Sequence, residues 1–105
     1  MEKISVVIPC YNEEESIKIF YKEFFSRTAS MKRVDFELIF VNDGSKDKTL
    51  KKFKDIAKKD KRVKYISLSR NFGKEAAMYA GLKATTGDYI AIMDVDLQDT
   101  PEMIK

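Results

Sequence analysis

Residues 3–9 read KISVVIP, a short run in which isoleucine and valine predominate. Three further runs have the same character: residues 36–41 (FELIFV), 63–69 (VKYISLS) and 89–93 (YIAIM). Short runs that are nearly continuous in apolar residues are typical of strands covered on both faces of a parallel sheet. The four runs therefore predict four core strands of one parallel sheet.

The segments between these runs have helical spacing. Each places apolar residues three or four positions apart, which would lay one apolar stripe on the sheet. The stripes are Ile17, Phe20 and Phe24 in the first segment, Leu50, Phe53 and Ile56 or Ala57 in the second, and Ala77, Ala80 or Gly81, and Ala84 in the third. The predicted order is β-α-β-α-β-α-β, a Rossmann-like open, mainly parallel sheet with helices on both faces.

Polar residues and glycines mark the predicted helix ends. The starts are indicated by Asn12 with Glu15 three residues later, by Ser45 or Asp47, and by Gly73. Gly87 is placed to end the third helix.

The composition bounds the class of protein. At 105 residues the chain is at most one small domain, and its 44% hydrophobic and 35% charged content is typical of a soluble globular protein. No apolar run approaches the roughly 20 residues of a membrane span, and no secretory signal is recognised, which predicts a cytosolic setting. The single cysteine, Cys10, and the lack of histidine exclude an internal disulfide, Cys/His metal sites and His-dependent nucleophiles.

Lysine is concentrated in residues 46–64, within a net charge of +3 for the chain. Such a patch can be a solvated helix face or a surface for anionic lipid or nucleic acid. The pattern favours the solvated face.

Ligands of open α/β sheets gather where the strands end, so the residues after each predicted strand are the candidates for function. After the first strand, PCYNEEES offers Pro9, Tyr11, Asn12 and Glu13 as binding groups. The alternative is plain helix capping by Asn12 and the acidic residues that follow. After the second strand, Asp43 lies in a strand-to-helix loop and can accept a hydrogen bond from a base or a sugar.

The third strand is followed by SRNFGKEAA, in which Arg70 and Lys74 flank Gly73 at a helix start. A helix amino terminus with basic side chains suits an anion, although ordinary surface charge is an equal alternative. Lys74 is the candidate for contact with a phosphate.

The fourth strand runs into IMDVDLQD, residues 92–99, where Asp94 and Asp96 would leave an extended segment on the same side, with Gln98 beyond them. Paired carboxylates with no nitrogen or sulfur ligand nearby favour Mg²⁺ or Mn²⁺, and such an ion keeps positions open for phosphate oxygens. An isolated D-x-D is common by chance, and residues 99–105 also resemble the capped first turn of a further helix.

Taken together, VVIPCYNEEESI, VNDGSKDKT, SRNFGKEAAMYAGLKAT and DVDLQDTPE closely resemble the glycosyltransferases of family 2, which have the GT-A fold. The chain looks most like bacterial dolichol-phosphate mannosyltransferase-like proteins and bactoprenol glucosyltransferases of cell-envelope glycan synthesis. The resemblance covers essentially the whole chain. It departs from the frequent DADLQD form at Val95 and from a frequent Pro-Pro at Thr100, and neither departure removes a ligand.

The resemblance implies inverting transfer of a sugar from a UDP- or GDP-linked donor to a polyprenyl phosphate or a related acceptor. It places the full-length protein at the cytoplasmic membrane surface, and it implies no nucleic-acid partner. Pro9, Tyr11, Glu13 and Asp43 would line the pocket for base and ribose, with Lys74 near phosphate. Asp94, Asp96 and Gln98 would hold the Mg²⁺ or Mn²⁺ ion.

The resemblance also implies that residues 1–105 are the nucleotide-binding half of a truncated GT-A domain. The candidate catalytic base, the acceptor half and any membrane helices would then lie beyond residue 105. We expect this part alone to be soluble and inactive, and prone to self-association through uncovered apolar surface.

Three other classes of function share part of this pattern. A non-catalytic nucleotide-binding or interaction module remains the main alternative. Nicotinamide-dependent oxidoreductases are disfavoured because PCYNEE, and not G-x-G-x-x-G, follows the first strand. A receiver-like phosphoacceptor domain would place its acids after the early strands, and not in a cluster after the fourth.

Overall fold

The computed structural model describes residues 2–95, in which strands and helices alternate. The strands are β1 (Glu2–Cys10), β2 (Val34–Asn42), β3 (Val63–Ser67) and β4 (Tyr89–Ile92), and the helices are α1 (Ile17–Thr28), α2 (Thr49–Lys59) and α3 (Lys74–Lys83). The predicted order of seven elements is confirmed. No helix within residues 2–95 is both long enough and apolar enough to cross a bilayer.

The four strands form one parallel sheet in the order β3-β2-β1-β4. The register places Ile4 of β1 opposite Phe36 of β2 and Tyr89 of β4. Because all neighbouring strands are parallel, their carboxyl ends lie at the same edge, and the loops that follow β1 to β4 meet there.

Helices cover both faces of the sheet, as the sequence predicts. On one face, α1 and α2 pack against β1, β2 and β3, and the predicted stripe residues Phe20, Phe24 and Phe53 are fully buried there. The Phe40 ring of β2 stacks on Phe53, with ring centroids 4.7 Å apart. On the other face, α3 places Ala77 against valine and isoleucine side chains of β1 and β2.

The prediction that all four strands are covered on both faces is wrong for β3 and β4. Tyr65 of β3 and Tyr89, Ile90 and Ile92 of β4 are exposed. These strands form the two edges of the described sheet: α3 packs chiefly on β1 and β2, α2 packs on one face of β3, and no helix within residues 2–95 packs extensively on β4.

Three predicted helix ends are also wrong. Helix α2 begins at Thr49 after Lys48, and not at Ser45 or Asp47. Helix α1 begins at Ile17 after Ser16, and Asn12 does not cap it. Helix α3 ends at Lys83, before Gly87. A Cβ at Gly87 would come within 2.7 Å of the Ser5 hydroxyl and 2.8 Å of a backbone oxygen of β1, so this glycine is required for close approach to that strand. The predicted helical turn at residues 99–105 lies outside the described residues.

A buried carboxylate joins the strands near the amino end of the sheet. Glu37 of β2 accepts hydrogen bonds from the Ser5 hydroxyl at 2.5 Å and the Thr86 amide at 2.8 Å, and it pairs with the Lys64 ammonium at 2.8 Å. Burial acts to raise the pKa of Glu37, but the bonds from Lys64, Ser5 and Thr86 outweigh it and lower the pKa to about 2. The folded state therefore strongly favours the ionised form.

We expect Glu37→Gln to lower the free energy of unfolding by about 3 kcal/mol at pH 7, because the folded state holds this carboxylate ionised. With the folded pKa depressed, the stabilisation is present above the unfolded pKa of about 4.5 and is lost as pH falls toward 2. Urea unfolding at pH 7 and at about pH 3 should show the difference shrinking by roughly half.

The matched control is Glu23→Gln, which removes an exposed pair with Arg27 of α1 and should change stability by about 0.5 kcal/mol or less. An equal loss in both variants, or a Glu37→Gln loss that does not depend on pH, would contradict this account of the buried carboxylate.

Candidate functional site

A cavity of about 510 Å³ opens at the carboxyl edge of the sheet. It is lined by residues at or after the carboxyl ends of all four strands: Pro9, Cys10, Tyr11, Glu13, Asp43, Asn71, Gly73, Lys74, Asp94 and Val95. Six of the seven predicted binding residues thus face one cavity, and Asn12 is the exception. The topology predicted from the sequence is sufficient to bring them together.

The loop after β1 is fastened to the loop before α2 by backbone donors. The amides of Asn12 and Glu13 donate to the hydroxyls of Ser45 and Thr49, each at 2.9 Å. The amide of Glu14 donates to the Asp47 carboxylate at 3.2 Å. These bonds hold Tyr11 and Glu13 at the cavity, with the Tyr11 ring 42% exposed.

Asn12 has a structural part in this loop. Its φ of 52° makes it the one non-glycine residue with positive φ among residues 2–95, a conformation that asparagine tolerates better than most residues. Its side-chain oxygen accepts from the Lys46 amide at 2.8 Å, outside the lining of the cavity. The sequence predicted a polar group here, and the structure directs it to the neighbouring loop.

Asp43 is buried beneath the cavity, with 4% of its surface exposed. One carboxylate oxygen accepts from the Phe72 amide at 2.8 Å and the other from the Gly73 amide at 3.1 Å. Beside it, a Cβ at Gly44 would lie 2.1 Å from the Arg70 carbonyl carbon, and Gly44 has φ +69°. Asp43 therefore holds the loop that leads into α3 by hydrogen bonds, and Gly44 allows that loop to approach closely.

Lys74 and Asp94 form an ion pair in the lining of the cavity. The Lys74 ammonium lies 2.9 Å from an Asp94 carboxylate oxygen, and the Asp94 side chain is 46% exposed. Strand β4 ends at Ile92 and Val95 lies in a turn, so the predicted extended segment stops before Asp94. The other predicted metal ligands, Asp96 and Gln98, lie outside the described residues.

The donor chemistry at Asp94 suits a hard divalent cation, since it is a partly exposed carboxylate facing the cavity. Within residues 2–95, no group of three acidic, cysteine or histidine side chains is placed to hold a metal. Burial, with the nearby Glu13 and Asp94 carboxylates, raises the pKa of the Cys10 thiol well above its ordinary value. Cys10 is therefore a neutral part of the cavity wall and neither a nucleophile nor a thiolate ligand.

The sequence analysis did not select Asn71, which lines the cavity and donates from its amide nitrogen to the Asp43 carbonyl at 3.2 Å. The available signal was its place in SRNFGKEAA, immediately before a predicted helix start. Arg70, which was singled out there, instead stacks over the Phe72 ring at 4.5 Å.

Comparison of the sequence with known families gives one match that covers residues 5–105: glycosyl transferase family 2. The chain belongs to this family of enzymes. Among curated relatives, it is 49% identical over 102 residues to a bactoprenol glucosyl transferase of Shigella phage SfX and to a prophage bactoprenol glucosyl transferase homolog of Escherichia coli K12. These alignments cover 97% of this chain and 33% of each relative, so the chain spans about a third of their length.

Solved structures of GT-A glycosyltransferases share the fold. S. aureus TarS 1–349 superposes with a TM-score of 0.76 and 26% identity, over 97% of this chain and 32% of the TarS 1–349 chain. The complex of TarS 1–349 with UDP-GlcNAc superposes with a TM-score of 0.76 and 28% identity. That alignment covers 90% of this chain and 26% of the other. The mannosyltransferase PcManGT of Pyrobaculum calidifontis, solved with GDP-Man and Mn²⁺, superposes with a TM-score of 0.81 at 21% identity. That alignment covers 98% of this chain and 30% of the other. The predicted fold class and family are thus confirmed.

We expect Asp43→Asn to lower the free energy of unfolding by about 2 kcal/mol, because a carboxamide offers one acceptor oxygen where two backbone amides now donate to a buried carboxylate. Thermal or urea unfolding of the purified chain measures the change. Asp35→Asn, the same substitution at an exposed strand residue, should change stability by less than about 0.5 kcal/mol. Equal stability of the two variants would contradict the role assigned to Asp43.

Proposed function

We propose that this chain supplies the donor-binding part of an inverting glycosyltransferase that transfers a sugar from a nucleoside diphosphate sugar to a polyprenyl phosphate. The observation that supports the proposal is the convergence of Tyr11, Glu13, Asp43, Lys74 and Asp94 on one cavity at the carboxyl edge of the sheet. The family assignment supports the class of reaction, and the names of the bactoprenol glucosyl transferase relatives support a polyprenyl phosphate acceptor in the bacterial cell envelope.

The nucleobase and ribose are assigned to the side of the cavity formed by the loops after β1 and β2. Pro9 fixes the backbone there, and the exposed face of Tyr11 offers an aromatic surface for a base. Glu13 can accept from ribose hydroxyls. Asp43, whose oxygens each accept one backbone bond, retains further lone pairs for a base donor.

The diphosphate is assigned to the opposite side, at Lys74 and Asp94. Lys74 opens α3, where an ammonium at a helix amino terminus favours an anion. Asp94, with Asp96 and Gln98 from the sequence, would hold the Mg²⁺ or Mn²⁺ ion. That ion, when bound, would stabilise the negative charge that develops on the departing nucleoside diphosphate.

The residues of this chain would act by binding and orientation. They would fix the diphosphate so that the anomeric carbon faces the acceptor for in-line attack. A phosphate acceptor is already anionic at neutral pH and needs little help from a base, whereas other acceptors would need a carboxylate base. No catalytic base is assigned within this chain.

The acceptor-binding residues are assigned to the two thirds of the relatives' length that the alignments leave uncovered. The whole protein would then work at the cytoplasmic membrane surface, where its acceptor is anchored. This chain alone would bind the donor without turnover. Transfer of labelled sugar to a polyprenyl phosphate by the purified chain would contradict that division of roles.

The donor site predicts nucleotide binding that depends on a divalent ion. In calorimetric titrations with UDP and with GDP, we expect one of them to bind in Mg²⁺ or Mn²⁺ and to bind at least tenfold more weakly in EDTA. Asp94→Asn and Asp96→Ala should each remove most of the metal-dependent gain, whereas Asp35→Asn should retain it. Failure of both nucleotides to bind would contradict a donor site in this chain, and equal binding in EDTA would contradict the metal.

A second comparison separates the two sides of the cavity. Lys74→Gln should weaken UDP or GDP, whichever binds, by about tenfold and leave the corresponding nucleoside nearly unchanged, since the nucleoside has no phosphate for the ammonium to contact. Tyr11→Ala should weaken nucleotide and nucleoside alike. The assignment of the two sides fails if Lys74→Gln weakens the nucleoside as much as the nucleotide.

A further inference from the structure

Helices α1 and α2 form a groove on the outer surface of the molecule, on the sheet face that they cover together. Five lysines line it: Lys18 and Lys22 of α1, and Lys52, Lys58 and Lys59 of α2. Asp55, the acidic residue of the groove, already pairs with Lys51 at 3.3 Å. None of the five lysines forms an ion pair with another residue of the described part of the chain.

The groove lies within a strongly polarised charge distribution. Residues 46–64 hold ten of the 20 lysine and arginine residues of the chain but only three acidic residues, so the rest of the chain is net acidic. The apolar side of α2, with Phe53 at its centre, is buried in the core. The exposed side of this amphipathic helix therefore presents an excess of lysine charge, with Asp55 already paired to Lys51, which suits contact with an anionic surface and not insertion of the helix.

We propose that this groove, the α1–α2 lysine groove, is the face through which the protein contacts an anionic phospholipid bilayer. Clustered lysines on a helix adsorb to acidic headgroups without a shaped pocket. The chemistry is less suited to nucleic acid, because such grooves combine charge with exposed aromatic rings. The aromatic residue of this groove, Tyr21, donates its hydroxyl to Asp60 at 2.6 Å within the fold.

The position of the groove fits the proposed function, on which this inference partly rests. Both helices run back from the carboxyl edge of the sheet, so Lys18 and Lys52 lie in the helical turns nearest to the candidate donor site. The whole of α2, at 11 residues, is only about 16 Å long. A bilayer held against this groove would bring the donor site close to the headgroups, where the phosphate of a lipid-anchored acceptor lies.

The first test measures vesicle binding by the purified chain in sedimentation assays. We expect the chain to bind vesicles that contain roughly a third phosphatidylglycerol and not to bind vesicles of pure phosphatidylcholine. About 0.5 M NaCl should release it from the acidic vesicles. Replacing Lys52, Lys58 and Lys59 together by glutamine should reduce partitioning on the order of 100-fold, at about fivefold per lysine. Glutamine retains the helix propensity of lysine, and thermal unfolding checks that the variant folds.

The matched control replaces Lys32, Arg33 and Lys83 by glutamine, which removes the same charge from exposed positions outside the groove. It should retain vesicle binding to within about threefold. An equal loss in both triple variants, no binding to the acidic vesicles, or tighter groove-dependent binding to RNA than to vesicles would each overturn the proposal.

The second test uses the lack of tryptophan in this chain. Ile19→Trp places a unique fluorophore at an exposed position of α1 next to the groove, and Tyr79→Trp places one on α3, on the opposite face of the sheet. Acidic vesicles should shift the emission to shorter wavelength for Ile19→Trp only. A shift at Tyr79→Trp alone would overturn the proposed orientation. Nucleotide titration of the same samples tests the donor site separately, so either proposal can fail without the other.

Discussion

The hydrogen bonding of the Asp43 carboxylate to backbone amides is the interaction on which the candidate site depends most directly. It sits where β2 ends, beneath the cavity, and accepts two backbone amides from the loop that leads into α3. Because Lys74 begins α3, the position of its ammonium follows from how Asp43 seats the preceding residues. The loops after β1 and β2 are fastened in the same way, by backbone donors on hydroxyls and carboxylates. Hydrogen bonds to polar side chains thus fix the backbone of the loops, and the shape of the cavity depends on these loops.

The arrangement of the sheet was predictable because its physical causes are local in sequence. Isoleucine and valine runs mark the strands, and stripes such as Phe20 and Phe24 mark the faces of the helices. Parallel strands then require that the strand ends meet, which is why six of the seven predicted binding residues line one cavity. Coverage of β3 and β4 was not predictable in this way. The coverage of an edge strand depends on how many helices reach that edge of the sheet. The apolar composition of β3 and β4 resembles that of the central strands and does not reveal this.

The errors at single residues share one cause. The sequence pattern assigns Asn12 and Gly87 to the ends of helices, whereas both contact residues distant in the sequence: the Asn12 side chain accepts a hydrogen bond from the loop before α2, and Gly87 lies against β1. Asn71 was missed for the same reason, since its bond to the Asp43 carbonyl joins residues 28 positions apart. Local sequence patterns are sufficient to predict the strands and helices. The contacts of loop residues depend on the tertiary fold, which local patterns do not contain.

Charge is separated by place in this small domain. Carboxylates gather at the carboxyl edge, where Lys74 opposes Asp94, and Glu37 is buried and ionised near the other end of the sheet. The excess lysine lies on the outer surface of α1 and α2. The proposed diphosphate site and the proposed lipid-binding groove would lie close together, which is the arrangement expected if the proposed transfer joins a water-soluble donor to a membrane-anchored acceptor.

The central claim is that the strand-end cavity holds the nucleoside diphosphate. Amide chemical-shift mapping of the labelled chain during titration with UDP or GDP and Mg²⁺ tests it most directly. The account predicts that shifts concentrate at residues 10–13, 43–44, 70–74 and 94, with α1 and α2 largely unchanged. Saturable shifts centred on the α1–α2 lysine groove, with the strand-end loops unaffected, would contradict it.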